Sequence, residues 1–219
     1  MDRRLYQKSI IASTFLLAVS SPFATFAQTE QEWRDSLSAL SERIRLAPKS
    51  VDLRLRKAAV NIELGQWSYA VDEYSRVLEL DPKNLSAHYY RAYVHNHERR
   101  YELAKQDYEA CLAIVPRNFE AQLGLAIAKR NLGKTVEAMN ELNQLIQMFP
   151  DSAIAYAARA GYEVEQKQYE LALYDWDEAI SRQPNNIEYL MSKADVLLML
   201  KRQKEANALI RRIRALEQR

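Results

Sequence analysis

Residues 85–116 read LSAHYYRAYVHNHERRYELAKQDYEACLAIVP. Ala92 and Ala104 stand inside two helix-compatible stretches, and Pro116 closes the second. The closing residue belongs to a series. Pro48, Pro82, Pro116, Pro150 and Pro184 follow one another at 34 residues without a slip. With this Pro numbered 32, repeats begin at Val51, Leu85, Phe119, Ala153 and Ile187. Position 8 is then Ala58, Ala92, Ala126, Ala160 and Ala194, and position 20 is Ala70, Ala104, Ala138, Ala172 and Ala206. A fixed period of this size marks a stack of supersecondary units rather than a single globular core.

Each column has a physical reason. Two antiparallel helices approach closely only where both present a small side chain, and Ala does so without glycine's cost in a helix. Pro at position 32 ends the second helix, since its ring clashes with the preceding turn and it has no N–H to donate. Position 34 is Ser50, Asn84, Asn118, Ser152 or Asn186, all good N-caps for the next helix. Gly65 and Gly133 lie between the two helices, where a left-handed residue stops the first one. Mostly apolar residues at positions 10, 14, 24, 27 and 28 complete the helical spacing.

The segments LRKAAVNIELGQWSYAVDEYSRVLELDP, HYYRAYVHNHERRYELAKQDYEACLAIVP and AARAGYEVEQKQYELALYDWDEAISRQP resemble the tetratricopeptide repeat family. The resemblance covers residues 51–219 as five repeats, 51–84, 85–118, 119–152, 153–186 and 187–219. It implies an all-α fold, a right-handed superhelical solenoid of about five helix-turn-helix units. Two departures stand out. The family's Trp at position 4 is replaced by Arg54, His88, Gln122, Tyr156 and Leu190, and the aromatic at position 17 is lost at Thr135 and Gln203. Ahead of the array, in residues 28–50, Trp33, Leu37, Leu40 and Ile44 mark one face of a lone covering helix that ends at Pro48. No covering helix is expected after the last repeat, whose final stretch KRQKEANALIRRIRALEQR holds seven basic and two acidic residues.

Residues 1–27 read as a cleavable signal peptide. Arg3, Arg4 and Lys8 precede the apolar run IIASTFLLAV, and Thr25 and Ala27 occupy the small positions before a cut at Ala27/Gln28. The run is well short of the ~20 residues of a spanning helix. The expected location is the bacterial periplasm, or secretion beyond it, with no membrane span in the mature chain. Removing three basic residues and one acidic residue from 31 and 29 leaves 28 of each. A net formal charge of +2 before cleavage already gives no reason to expect nucleic acid. The single Cys111 excludes an internal disulfide, a CxxC pair and a cysteine-based zinc site.

All three histidines lie between His88 and His97. His88 and His95 share a face but stand roughly 10.5 Å apart along a helix axis, too far to share one zinc ion. His97 points away from His95, and no i, i+4 pair exists. The expectation is architecture, with no metal and no cofactor. Catalysis finds as little support. The acidic run YDWDEA at residues 174–179 lies on a second helix and reads as a solvated face, and Cys111 fills a small packed position.

In the family, positions 2, 5, 9, 12 and 13 of each first helix line the concave face. The resemblance therefore makes Tyr89, Tyr93, Asn96, His97, Leu123, Ile127, Arg130, Asn131, Val164, Met191 and Leu198 the candidate partner-binding residues. Members that grip acidic chaperone tails carry Lys and Asn where Leu55 and Ala59 stand, so that activity is not expected. A helix or extended peptide with apolar anchors fits better. The implied function is a non-catalytic scaffold for a protein or peptide partner. The alternatives are a small ligand stacked on the aromatics of the second repeat, and a weak homodimer through the apolar VLLML at residues 196–200.

One charge pattern recurs at 16-residue spacing. Position 7 is Lys57, Arg91, Arg159 and Lys193, and position 23 answers with Glu73, Asp107 and Asp175. These pairs are expected to bridge the two helices of repeats one, two and four, contributing about 0–1 kcal/mol each if exposed.

Overall fold

The computed structural model describes residues 30–218, among which eleven α-helices and no strand occur. The signal-peptide reading of residues 1–27 lies outside the described residues. The first helix, α1 (Glu30–Leu46), precedes five helix pairs. These are α2 (Val51–Glu63) with α3 (Trp67–Leu80), α4 (Leu85–His97) with α5 (Tyr101–Ile114), α6 (Phe119–Asn131) with α7 (Thr135–Met148), α8 (Ala153–Glu165) with α9 (Tyr169–Arg182), and α10 (Ile187–Met199) with α11 (Gln203–Glu217). Every first helix runs from position 1 to position 13, and every second helix begins at position 17.

The boundaries follow from local chemistry. All five expected N-caps act as such. Ser50, Asn84, Asn118, Ser152 and Asn186 accept from the backbone N–H three residues on, at 3.4, 3.0, 2.7, 3.3 and 3.1 Å. Position 15 is left-handed in every repeat: φ is 67° at Gly65 and 74° at Gly133, but also 60° at Arg99, 59° at Lys167 and 60° at Lys201. The N–H of the following residue then closes on the position-11 carbonyl, as in Gln66 to Asn61 and Arg100 to His95, both 2.7 Å. The turn is thus built by backbone hydrogen bonds even where the sequence has no glycine.

The described residues divide into two compact units, 30–138 and 139–218. In the first, α1 to α6 pack each on the next, and α4 also touches α6. Here α1 covers α2 through Leu40 and Ile44 against Leu53 and Val60. Tyr74 and Val77 pack among Ala58, Ala70, Ala87 and Val94, and Tyr108 and Cys111 among Ala92, Ala104, Ala121 and Leu125. In the second unit α8, α9, α10 and α11 stack in order around Trp176, Leu173, Tyr189 and Leu197. The alanine columns sit where helices meet: all five at position 20 are 0 % exposed and none at position 8 exceeds 3 %.

The three expected bridges form. Lys57 Nζ reaches Glu73 at 2.9 Å, Arg91 grips Asp107 at 2.7 and 2.8 Å, and Arg159 grips Asp175 at 2.6 and 2.7 Å. The Asp107 and Asp175 carboxylates are buried and Glu73 is half-buried, so the value for exposed pairs does not apply to them. Lys193 has no acid at position 23 of its own repeat and turns instead to Asp177 of α9. The lost Trp at position 4 finds its explanation in the same layer. Arg54 donates to the Pro48 carbonyl at 2.8 and 3.1 Å and to Glu73 at 2.8 Å. His88 stands between the Asp107 carboxylate (2.9 Å) and the Pro82 carbonyl (3.1 Å). Polar side chains at position 4 thereby tie down the carbonyl that the helix-ending proline leaves open. In the later repeats Arg182 and Arg212 perform this task for Pro150 and Pro184 from the second helix.

Candidate partner-binding face

The candidate residues of the first unit lie on α4 and α6, two first helices in direct contact. Tyr89 is half-buried, its ring edge-on to Tyr90 at 5.2 Å and to Tyr108 at 6.1 Å. It is therefore anchored to the core while keeping part of its surface. Tyr93 is half-buried too, packed against the cluster around Tyr74. Burial, reinforced by Tyr90 and Glu120 beside Tyr89 and by Glu63 beside Tyr93, raises both phenol pKa values. The two hydroxyls stay protonated and can donate or accept.

His97 is exposed and stacks on Trp67, with ring centroids 3.9 Å apart and planes inclined by 27°. Asn131 donates to Asn96 at 3.4 Å, joining the C-terminal ends of α4 and α6 with two amides of open hydrogen-bonding capacity. Ile127 and Arg130 are half-buried on α6. Leu123 differs from its neighbours: at 7 % exposed it offers almost no surface. Position 5 is packed in repeats three and four, at Leu123 and Ala157, half-buried at Leu55 and Tyr89, and most open at Met191 of the last repeat.

In the second unit Val164 is half-buried against the α8–α9 cluster, while Met191, Leu198 and Met199 of α10 are 36, 38 and 54 % exposed. The exposed apolar side chains of VLLML are thus Leu198 and Met199, whereas Val196 and Leu197 are buried.

The histidines go to three separate surroundings. His88 belongs to the carbonyl clasp and His97 to the Trp67 stack. His95 is buried on α4 with Nδ1 unpartnered, and its pKa is lowered mainly by burial. Cys111 is buried as expected of its position, and burial pushes its thiol pKa up to about 12, which suppresses the thiolate. Among the described residues no helix is long and apolar enough to cross a membrane. Two features escaped the sequence reading. One is the Trp67 platform beneath His97, whose signal was the aromatic at position 17. The other is the exposed apolar set on the second helices, Tyr69, Leu103, Leu171 and Tyr174, which helical periodicity alone does not distinguish from core positions.

Residues 59–96 match the family described as TPR repeat, and residues 96–161 the one described as tetratricopeptide repeat. The chain is a tetratricopeptide-repeat protein. Solved structures with this fold include a tetratricopeptide repeat protein from Parabacteroides merdae, with a TM-score of 0.69 at 18 % identity, covering 96 % of this chain and 85 % of that one. MamA from Desulfovibrio magneticus RS-1 aligns with a TM-score of 0.66 at 18 % identity over 71 % of this chain and 88 % of its own. YrrB, described as a TPR protein with an unusual peptide-binding site, aligns with a TM-score of 0.60 at 15 % identity over 82 and 93 %. No curated protein matches the chain. The repeat fold supports a protein-interaction scaffold in general, and proteins of this family are generally non-catalytic.

Proposed function

We propose that this protein is an exported, non-catalytic scaffold that holds a helix or extended peptide of a partner protein along the α4–α6 face. The observation that carries this reading is the arrangement of Tyr89, Tyr93, Asn96, His97, Ile127, Arg130 and Asn131. Each is anchored by neighbours in a rigid helix pair and keeps part of its surface open. Anchored aromatics lose little conformational entropy on binding, and the flanking amides and Arg130 can meet a peptide backbone or carboxylate. A peptide-binding site in a similarly folded protein, YrrB, is in keeping with this use. Export rests on the signal-like order of residues 1–27, and N-terminal sequencing of protein from the envelope fraction should begin at Gln28.

The test is affinity capture of partners from that fraction with the mature chain. Tyr93→Ala combined with Ile127→Ala should lose the captured protein, and Tyr69→Ala on the second-helix side should retain it. Equal capture by all three proteins would remove the assignment. A second reading, self-association through Met191, Leu198 and Met199, is favoured by their exposure. Sedimentation as a monomer at high concentration would remove it.

A further inference from the structure

Position 11 of the five repeats is Asn61, His95, Lys129, Glu163 and Leu197, so only the fourth repeat places an acid there. Glu163 of α8 is 5 % exposed and lies beside the Asp175 carboxylate of α9, itself 1 % exposed. Both Asp175 oxygens are already taken by Arg159, Oδ2 by Nε at 2.6 Å and Oδ1 by Nη2 at 2.7 Å. The remaining Arg159 nitrogen, Nη1, donates to Asn143 of α7 at 2.8 Å. Glu163 Oε2 finds no hydrogen-bond partner. The charged groups acting on Glu163 are Asp175 and Arg159; on α10, Lys193 is turned away to Asp177.

The charges do not balance if both carboxyls ionise. Two adjacent buried carboxylates would share one guanidinium already turned to Asp175 and Asn143, and an uncompensated buried anion is expensive. The arrangement is satisfied when Glu163 keeps its proton. Burial, reinforced by the Asp175 charge and opposed by Arg159, raises the Glu163 carboxyl to about 7. The equivalent positions in repeats one and two, Asn61 and His95, the latter beside Asp107, carry groups that hold no negative charge.

We propose that the fourth repeat is a proton-held clasp: a proton on the buried Glu163, beside the Asp175–Arg159 pair, keeps α8 packed on α9, and its loss as pH rises through neutrality loosens this helix pair. The adjoining Gly161 and Val164, which belong to the surface that α8 presents, loosen with it. Because the folded carboxyl holds its proton to higher pH than the unfolded one, the folded state binds the extra proton. Stability contributed by the clasp is complete below the ordinary glutamate range, falls as pH rises, and stops falling once the folded carboxyl has ionised.

The experiment is hydrogen exchange of the α8 and α9 amides in the whole mature chain, corrected for intrinsic exchange, for the natural protein and Glu163→Gln from about pH 5 to about pH 8. The opening constant of the natural protein should rise relative to the variant by about tenfold per pH unit up to near neutrality and then level off. A parallel pH dependence in the two proteins would overturn the clasp. Should Glu163→Gln not fold, the carboxyl carbon of Glu163 in the natural protein decides by NMR titration. A midpoint near neutrality supports the proposal, and one in the ordinary glutamate range overturns it.

Discussion

At Gly124 a Cβ atom would stand 2.4 Å from Cζ and 2.5 Å from Cε1 of Tyr108, inside the ring rather than against it. Tyr108 is wholly buried and cannot swing aside. Gly124→Ala should therefore cost about 1–3 kcal/mol in urea denaturation, as overpacking of a tight core does. Adding Tyr108→Leu, the residue type that repeat three carries at this position as Leu142, should return part of the loss. The glycines of the turns obey a different logic. A Cβ on Gly65 meets nothing within 4 Å, yet φ is 67°, so only backbone strain opposes a side chain there. Arg99, Lys167 and Lys201 bear that strain in the same conformation, and each changed to Gly should gain about 0.5–1 kcal/mol in thermal or urea unfolding. The left-handed role of Gly65 and Gly133 could be read from the sequence because glycine announces it. Gly124 could not, since its need arises from the size of a side chain in another repeat.

Between helices, buried acids rather than surface ion pairs tie the layers together. Arg159→Met would leave Asp175 buried beside Glu163 with no cation, and it should cost about 3–5 kcal/mol in urea denaturation. Lys193→Met removes a residue from the same repeat position, but its partner Asp177 is largely exposed, so the change should stay within about 0.5 kcal/mol. Equal costs for the two would contradict the role given to burial. The 16-residue spacing revealed which charges meet, and the capping side chains revealed where each first helix begins. Neither revealed the environment. Whether an ion pair is dry depends on the second helix of one repeat lying against the next, which no local pattern reports. The polar residues at position 4 are the same case. Arg54 and His88 look like lost packing in the one-dimensional pattern, and in three dimensions they seal the Pro48 and Pro82 carbonyls.

Over the whole molecule, the 34-residue period carries the architecture, because a strict repeat of close-approach alanines and helix-ending prolines admits few other structures. The candidate face was legible only through the family's use of positions 2, 5, 9, 12 and 13. That guidance holds for Tyr89, Tyr93, Asn96, His97, Ile127, Arg130 and Asn131, which keep open surface, and weakens at Leu123, where the side chain is packed. The partner has no imprint in the sequence, since a scaffold presents shape and a few anchors rather than a reaction centre. The most direct measurement places a photoreactive amino acid at Tyr93 or, in a second protein, at Tyr69, and compares the cross-linked products formed in the native cells. The account predicts a discrete adduct from position 93 and none from position 69. An adduct from position 69 alone, or equal yields from both, would contradict it.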